Sequence, residues 1–121
     1  MRERALHNLS PWTGRCTLVR ATSDEFMRVL LRVKSGIGGI KRRRIDLIYI
    51  DASHHATMVA EDSRQALLLL RPGGWMMFDD LEQRLAKRDW VKEGIALFLA
   101  AHGDEVREVF THGQMQAFEK L

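Results

Sequence analysis

The stretch Ile45-Asp46-Leu47-Ile48-Tyr49-Ile50-Asp51-Ala52-Ser53-His54-His55 decides the fold. Its first part is a near-continuous apolar run, the pattern of a strand that is covered on both faces in a parallel sheet. The run then ends in an acid, two small residues and two histidines. Because ligands of open α/β sheets bind at the carboxyl ends of the parallel strands, this stretch predicts both a buried strand and the edge where chemistry occurs.

Outward from this strand, apolar periodicity and turn residues predict alternating helices and strands. The predicted elements are a helix end at 2–9, a strand at 16–20, a helix at 23–33 capped by Ser23, the strand at 45–51, a helix from a Thr57 cap to residue 70, a strand at 75–78, a helix at about 89–101, and a hairpin of 106–110 and 115–118. This alternation predicts a mostly parallel sheet with helices on both faces.

Length and composition indicate one domain that spans residues 1–121. No window approaches the roughly 18 consecutive apolar residues of a membrane span, and the N-terminus lacks the apolar core of a signal peptide. We therefore expect a cytoplasmic protein with no membrane partner. The basic run Lys41-Arg42-Arg43-Arg44 is typical of a solvated loop, and it lacks interleaved aromatic residues, so no nucleic-acid partner is expected.

Acidic side chains follow two strands of the predicted sheet. Asp51 ends the first of them, and Asp79 and Asp80 end the next. If these strands are neighbours, the three carboxylates lie at one edge, where they repel each other unless a positive charge lies between them. A hard divalent cation such as Mg²⁺, which prefers oxygen ligands, fits that need. The alternative is that each acid only caps the turn that follows it.

Two histidines, His54 and His55, follow Asp51 on the loop that leads to the next helix. An imidazole can accept a proton near neutral pH, so either histidine is a candidate catalytic base. The alternative is that one of them hydrogen-bonds a loop carbonyl while the other faces solvent.

The stretch Ile45 to His55, together with Leu70-Arg71-Pro72-Gly73-Gly74-Trp75-Met76-Met77-Phe78-Asp79-Asp80, resembles class I S-adenosylmethionine-dependent methyltransferases. It is most similar to their small-molecule O-methyltransferases, the methyltransferase family 24 group. This resemblance implies a three-layer Rossmann-like sheet, mostly parallel with a C-terminal antiparallel hairpin. It also implies S-adenosylmethionine as methyl donor, Mg²⁺ or a similar cation at Asp51, Asp79 and Asp80, and a base at His54 beside a small hydroxylated substrate.

The sequence also departs from that family. The resemblance covers only the C-terminal half of the fold, so the first two strands and the glycine motif are expected before residue 1, as in a truncated domain. Ala21-Thr22 stand where the family usually has Gly-Asp, which leaves Thr22, Ser23 and Asp51 as the predicted cofactor-binding residues. The resemblance implies O-methyl transfer as the expected activity. The missing strands and glycine motif favour the alternative, an inactive remnant of the fold that serves as a binding module. For a sheet that lacks those two strands, the expected strand order is 16–20, 45–51, 75–78, 115–118, 106–110. A homodimer is expected to cover the exposed sheet edge.

Overall fold

The structure, a computed structural model, describes residues 2–12, 14–33, 36, 41, 43–53, 55–82 and 90–121. Its elements follow the predicted alternation of helices and strands. They are α1 (Arg2–Leu9), a 3-10 turn (Ser10–Trp12), α2 (Ser23–Arg32), β1 (Ile45–Ile50), α3 (Ala56–Leu69), β2 (Leu70–Phe78), α4 (Trp90–His102), a second 3-10 turn (Gly103–Glu105), β3 (Val106–His112) and β4 (Met115–Lys120). None of the helices within these ranges is long and apolar enough to cross a membrane.

The sheet has the strand order β1-β2-β4-β3. This order confirms the predicted arrangement of these four strands. The pair β1 and β2 is parallel, whereas β4 is antiparallel to both β2 and β3. The expectation of a mostly parallel sheet was therefore wrong for the described strands, because the closing hairpin supplies two of the four strands and runs against β2.

The predicted strand at 16–20 was also wrong. Cys16 makes only an isolated bridge, residues 17–20 have no regular structure, and all five residues are exposed. The physical reason is that the apolar side chains of Leu18 and Val19 stay 46% and 45% exposed, so no burial stabilises an extended conformation. In the part of the chain that the structure describes, β1 is consequently an edge strand.

One face of the sheet carries the helices. Ile48 pairs with Met76 and Ile50 pairs with Phe78, so these side chains share a face. Together with apolar residues of α3 and α4 they form the main core, and α2 packs beside them on β1. On the opposite face, Leu47, Tyr49 and Trp75 are 51%, 46% and 37% exposed. The described helices α2 to α4 thus make one layer, and the third layer stays a prediction.

The two helix starts differ from the predicted caps. Thr22, and not Ser23, caps α2: its hydroxyl accepts from the amide of Glu25, whose carboxylate accepts from the amide of Thr22. This reciprocal pair satisfies two amides of the first turn. His55, and not Thr57, occupies the cap position of α3, where its side chain makes no capping hydrogen bond. Each helix therefore begins at the residue directly after the cap that the structure shows.

The Pro72-Gly73-Gly74 segment, predicted to stop the helix, lies inside β2, because β2 begins immediately after α3 ends. Gly73 has a φ of +81°, which favours glycine. A Cβ on Gly74 would lie 3.0 Å from the carbonyl oxygen of Ile45. These glycines allow β2 to run close beside β1, and the two strands then end at the same level.

Candidate functional site

The carboxyl ends of β1 and β2 lie side by side. Ile50 pairs with Phe78, and the amide of Asp79 donates to the carbonyl of Ile50 over 3.4 Å. Asp51 and Asp79 are therefore the first residues after two neighbouring parallel strands, and Asp80 follows with a φ of 59°. This is the edge at which open α/β sheets bind ligands.

Tyr49 contacts one of these acids. Its hydroxyl donates a hydrogen bond to the Oδ2 atom of Asp79. This hydrogen bond, together with partial burial and the charges of Asp79, Asp51 and Asp80, raises the pKa of Tyr49 to about 12. The phenol of Tyr49 therefore stays protonated at neutral pH.

Sequence reasoning missed Tyr49 as a site residue. A signal was available, because side chains alternate along a strand and residues 49 and 51 therefore share a side of β1. An aromatic hydroxyl two residues before a candidate site acid is within reach of the same edge.

Asp79 is fixed by two donors. Besides the phenol of Tyr49, the amide of Asp80 donates to its Oδ1 atom over 2.8 Å. Both hydrogen bonds favour the ionised carboxylate, so they lower the pKa of Asp79, the phenol contributing most. Asp79 is therefore a charged and oriented group.

The loop after β2 is held by the turn of the terminal hairpin. The amide of Leu81 donates to the carbonyl of Gln114 over 3.2 Å, and the amide of Glu82 donates to the side-chain Oε1 of Gln114 over 2.9 Å. Leu81 is buried at the same place. The turn itself uses Gly113 with a φ of 58°, as the sequence predicts for this position. The hairpin thus positions the acidic loop.

The predicted divalent cation does not fit the side chains as they are arranged. Over the described ranges, no group of three or more His, Cys, Asp or Glu side chains lies close enough to hold a metal ion. Asp79 instead accepts hydrogen bonds from Tyr49 and Asp80. At Asp79, the hydroxyl of Tyr49 and the amide of Asp80 therefore stabilise the negative charge that a cation was expected to neutralise.

Of the two predicted bases, the structure describes His55, which follows Asp51 by four residues. His54 lies outside the described residues. His55 is exposed, and its ring lies 5.0 Å from that of Trp90 in an edge-to-face arrangement. An open groove of about 710 Å³ begins at these two rings and is lined mainly by apolar side chains; its lining residues are His55, Ala56, Thr57, Met58, Trp90, Glu93, Ala96, Leu97 and Ala100. Its lining residue His55 is four residues from Asp51 in the chain.

The two hydroxyls predicted to bind the cofactor make structural hydrogen bonds. Thr22 forms the cap of α2, and the hydroxyl of Ser23 donates to Asp62 over 2.8 Å. Asp62 is buried on α3, and burial raises the pKa of its carboxyl group. The bond between Ser23 and Asp62 attaches α2 to α3. Of the three predicted cofactor-binding residues, Asp51 is the one that the structure places at the edge.

A family model described as a methyltransferase domain matches residues 2–81. The match spans more than half of the chain and ends directly after the acidic loop. The chain therefore belongs to this family of class I S-adenosylmethionine-dependent methyltransferase-like domains, which confirms the resemblance at the level of the family. Its restriction to the C-terminal half of the fold and to small-molecule O-methyltransferases stays a prediction. A search of individual curated proteins found no match.

Proposed function

We propose that this domain transfers a methyl group from S-adenosylmethionine to a hydroxyl group of a small molecule. The observation that carries the proposal is that Asp51 and Asp79 directly follow the neighbouring parallel strands β1 and β2, with Asp79 held by the hydroxyl of Tyr49. In a methyltransferase domain, this edge is where a ligand would lie between the sheet and the following helices. The groove at His55 adds an apolar surface of suitable size for a small acceptor.

S-adenosylmethionine, when bound, would supply a methyl carbon on a positively charged sulfur; the acceptor oxygen would bond to this carbon in line with the carbon–sulfur bond, which breaks and leaves a neutral thioether. The chain then has two tasks, to hold the acceptor and to take up its hydroxyl proton. His55, at the mouth of the groove, is the candidate base that would accept this proton. His54 stays a second candidate base from the sequence. Tyr49 is unsuited to it, because its pKa of about 12 keeps the phenol protonated.

Asp51 and Asp79 have different roles in the proposal. Asp79 is oriented by Tyr49 and contributes fixed negative charge. Asp51 is exposed at the end of β1 and would contact the positively charged donor or one of its hydroxyl groups. The cation implied by the resemblance takes no part in these steps, because the arrangement of the described acids does not fit it.

Calorimetric titration of the whole chain with S-adenosylmethionine tests the proposal. We expect binding, and we expect Asp51→Asn to weaken it about tenfold, the typical effect of losing a hydrogen bond to a charged group. Asp46→Asn is the matched control, since this acid lies at the other end of β1 with its side chain 79% exposed. Methyl transfer from labelled donor to a panel of phenols and alcohols then identifies the acceptor class.

A second candidate is a non-catalytic binding module that retains the methyltransferase fold. The observation in its favour is that the hydroxyls of Thr22 and Ser23 are used in hydrogen bonds that hold α2. A folded chain with no calorimetric binding of S-adenosylmethionine would reject the methyl-transfer proposal and leave this candidate.

A further inference from the structure

The backbone at the ends of β1 and β2 is compatible with a cation between the two strands. Asp51 and Asp79 directly follow these strands, and the amide of Asp79 donates to the carbonyl of Ile50 over 3.4 Å. Neighbouring strands lie about 4.8 Å apart, so carboxylates at both ends can reach one ion at the roughly 2.1 Å that Mg²⁺ prefers. The mismatch with a cation therefore arises from how the side chains are held.

Both oxygens of the Asp79 carboxylate already accept hydrogen bonds from the protein. The hydroxyl of Tyr49 donates to Oδ2, and the amide of Asp80 donates to Oδ1 over 2.8 Å. The donated hydrogen carries a partial positive charge, so it and a cation repel each other at the same oxygen. A cation that binds Oδ2 would therefore have to displace the phenol.

Strand register explains why Tyr49 reaches this carboxylate. Tyr49 pairs with Met77 of β2, and Asp79 lies two residues beyond Met77. Because side chains alternate along a strand, Asp79 lies on the same side of the sheet as Tyr49. Asp51, two residues after Tyr49, lies on that side as well. The phenol is therefore on the side of the sheet where both acids would face an ion.

We propose that Tyr49 excludes divalent cations from the acidic edge, because its hydroxyl holds Oδ2 of Asp79. The phenolic hydrogen then serves at this carboxylate in place of a cation. For the proposed methyl transfer, on which this further step rests, no divalent cation is required, and the charge of Asp51 stays available to the positively charged donor.

Titration of the whole chain with Mn²⁺ tests the inference without a methyl donor. Free Mn²⁺ gives an electron paramagnetic resonance signal that is lost when the ion binds to protein. We expect Tyr49→Phe to bind Mn²⁺ about tenfold more tightly than the unchanged chain, since the ion no longer has to displace a hydrogen bond to a charged group. Mg²⁺ should compete for the same site, because both ions prefer oxygen ligands.

Three further variants make this result specific. Tyr49→Leu removes the hydroxyl together with the ring and should show the same gain in affinity. Trp75→Phe changes another exposed aromatic residue on the same side of the sheet and should bind Mn²⁺ like the unchanged chain. Tyr49→Phe/Asp51→Asn should lose the gain, because it removes a ligand. Equal affinities of the unchanged chain and both Tyr49 variants, or a gain that persists without Asp51, overturn the proposal.

Calorimetry with S-adenosylmethionine separates this inference from the proposed function. The unchanged chain should bind the donor with the same affinity in EDTA and in Mg²⁺. Donor binding that requires Mg²⁺ would overturn the role of Tyr49. A folded chain that binds no donor under either condition would reject methyl transfer, whereas the Mn²⁺ titration would still decide whether Tyr49 excludes the cation.

Discussion

The hydroxyl of Tyr49 donates to the carboxylate of Asp79, and so joins the side chains of β1 and β2 at the edge where both strands end. The pair raises the pKa of the phenol and lowers that of the carboxyl group. It therefore fixes the proton on Tyr49 and the negative charge on Asp79, which determines what each residue can do in a reaction.

The titration of this phenol can be observed directly, because Tyr49 is the only tyrosine in the chain. We expect phenolate absorbance to appear with a midpoint near pH 12, compared with the ordinary pKa of 10.0. Asp79→Asn removes the main cause and should move the midpoint toward the ordinary value. Glu108→Gln removes one carboxylate far from Tyr49 in sequence, bound to Thr111, and should leave the midpoint unchanged.

The same pKa difference sets a trend in stability at high pH. The folded chain keeps the phenolic proton between about pH 10 and pH 12, where the unfolded chain has lost it. This contribution to the free energy of unfolding is therefore complete below pH 10 and lost as the pH rises through 12. If the phenol of the Asp79→Asn variant titrated with the same midpoint as that of the unchanged chain, the hydrogen bond between Tyr49 and Asp79 would not be the cause of the raised pKa.

Glu61 should contribute to the loss of stability in acid. Hydrogen bonds from Arg64, and then from Gln65, lower its pKa from 4.5 to about 2, against the opposing effect of partial burial. Because the folded pKa is the lower one, the contribution is present above pH 4.5 and is lost as the pH falls through about 2. Urea unfolding across this range should show that Glu61→Gln has a lower free energy of unfolding than the unchanged chain near neutral pH, and that this difference shrinks in acid. Asp104→Asn, an exposed acid, should show no comparable deficit.

Gly94 should not tolerate a side chain. A Cβ at this position of α4 would lie 2.5 Å from the Cβ of Val59 and 2.7 Å from the carbonyl oxygen of Ala56 on α3. Alanine favours a helix by about 1 kcal/mol over glycine, but forcing extra atoms into a packed contact costs about 1–3 kcal/mol. We expect Gly94→Ala to lower the midpoint of thermal unfolding and to disturb the contact between His55 and Trp90.

Gly103→Ala is the control for Gly94→Ala. Its new Cβ would meet only the Cβ of Leu99, at an ordinary 4.0 Å, so we expect no loss of stability. Equal midpoints for the two variants would show that α3 and α4 separate easily.

The side chain of Gln114 should protect one amide of the acidic loop. Gln114→Ala removes the acceptor of the Glu82 amide but keeps the backbone carbonyl that accepts from Leu81. We expect hydrogen exchange of the Glu82 amide to accelerate by about fivefold, the equivalent of one hydrogen bond of about 1 kcal/mol. The Leu81 amide in the same variant is the internal control. Unchanged exchange at Glu82 would argue against the side-chain contact.

The sequence predicted those features that depend on one segment at a time. The apolar run at 45–50 specifies β1, and Asp51 and Asp79 follow the strands that the structure shows. The turn at Gly113 predicted the hairpin, because its positive φ is a local property. The order of the four described strands was expected from the family resemblance and not from local patterns, since β2 pairs with β4 and not with β3, the next strand along the chain.

The remaining features depend on contacts between segments that are distant in sequence. Tyr49 contacts Asp79 across 30 positions, and Ser23 contacts Asp62 across 39. At 16–20 the sequence predicted a strand that the structure does not show. The residues there favour an extended conformation, but this preference is weak without a neighbouring strand to pack against. Local patterns thus identified the acids of the site but not the donors that orient them.

The placement of β4 has a consequence for the order of events during synthesis. β4 is the last described element to leave the ribosome, yet it lies between β2 and β3 inside the sheet. Until it emerges, one edge of β2 is unpaired, and the loop with Asp79 and Asp80 lacks Gln114, which anchors it. The acidic edge can therefore be assembled only after synthesis of the hairpin, and a nascent chain that stalls before residue 114 would present β2 to aggregation.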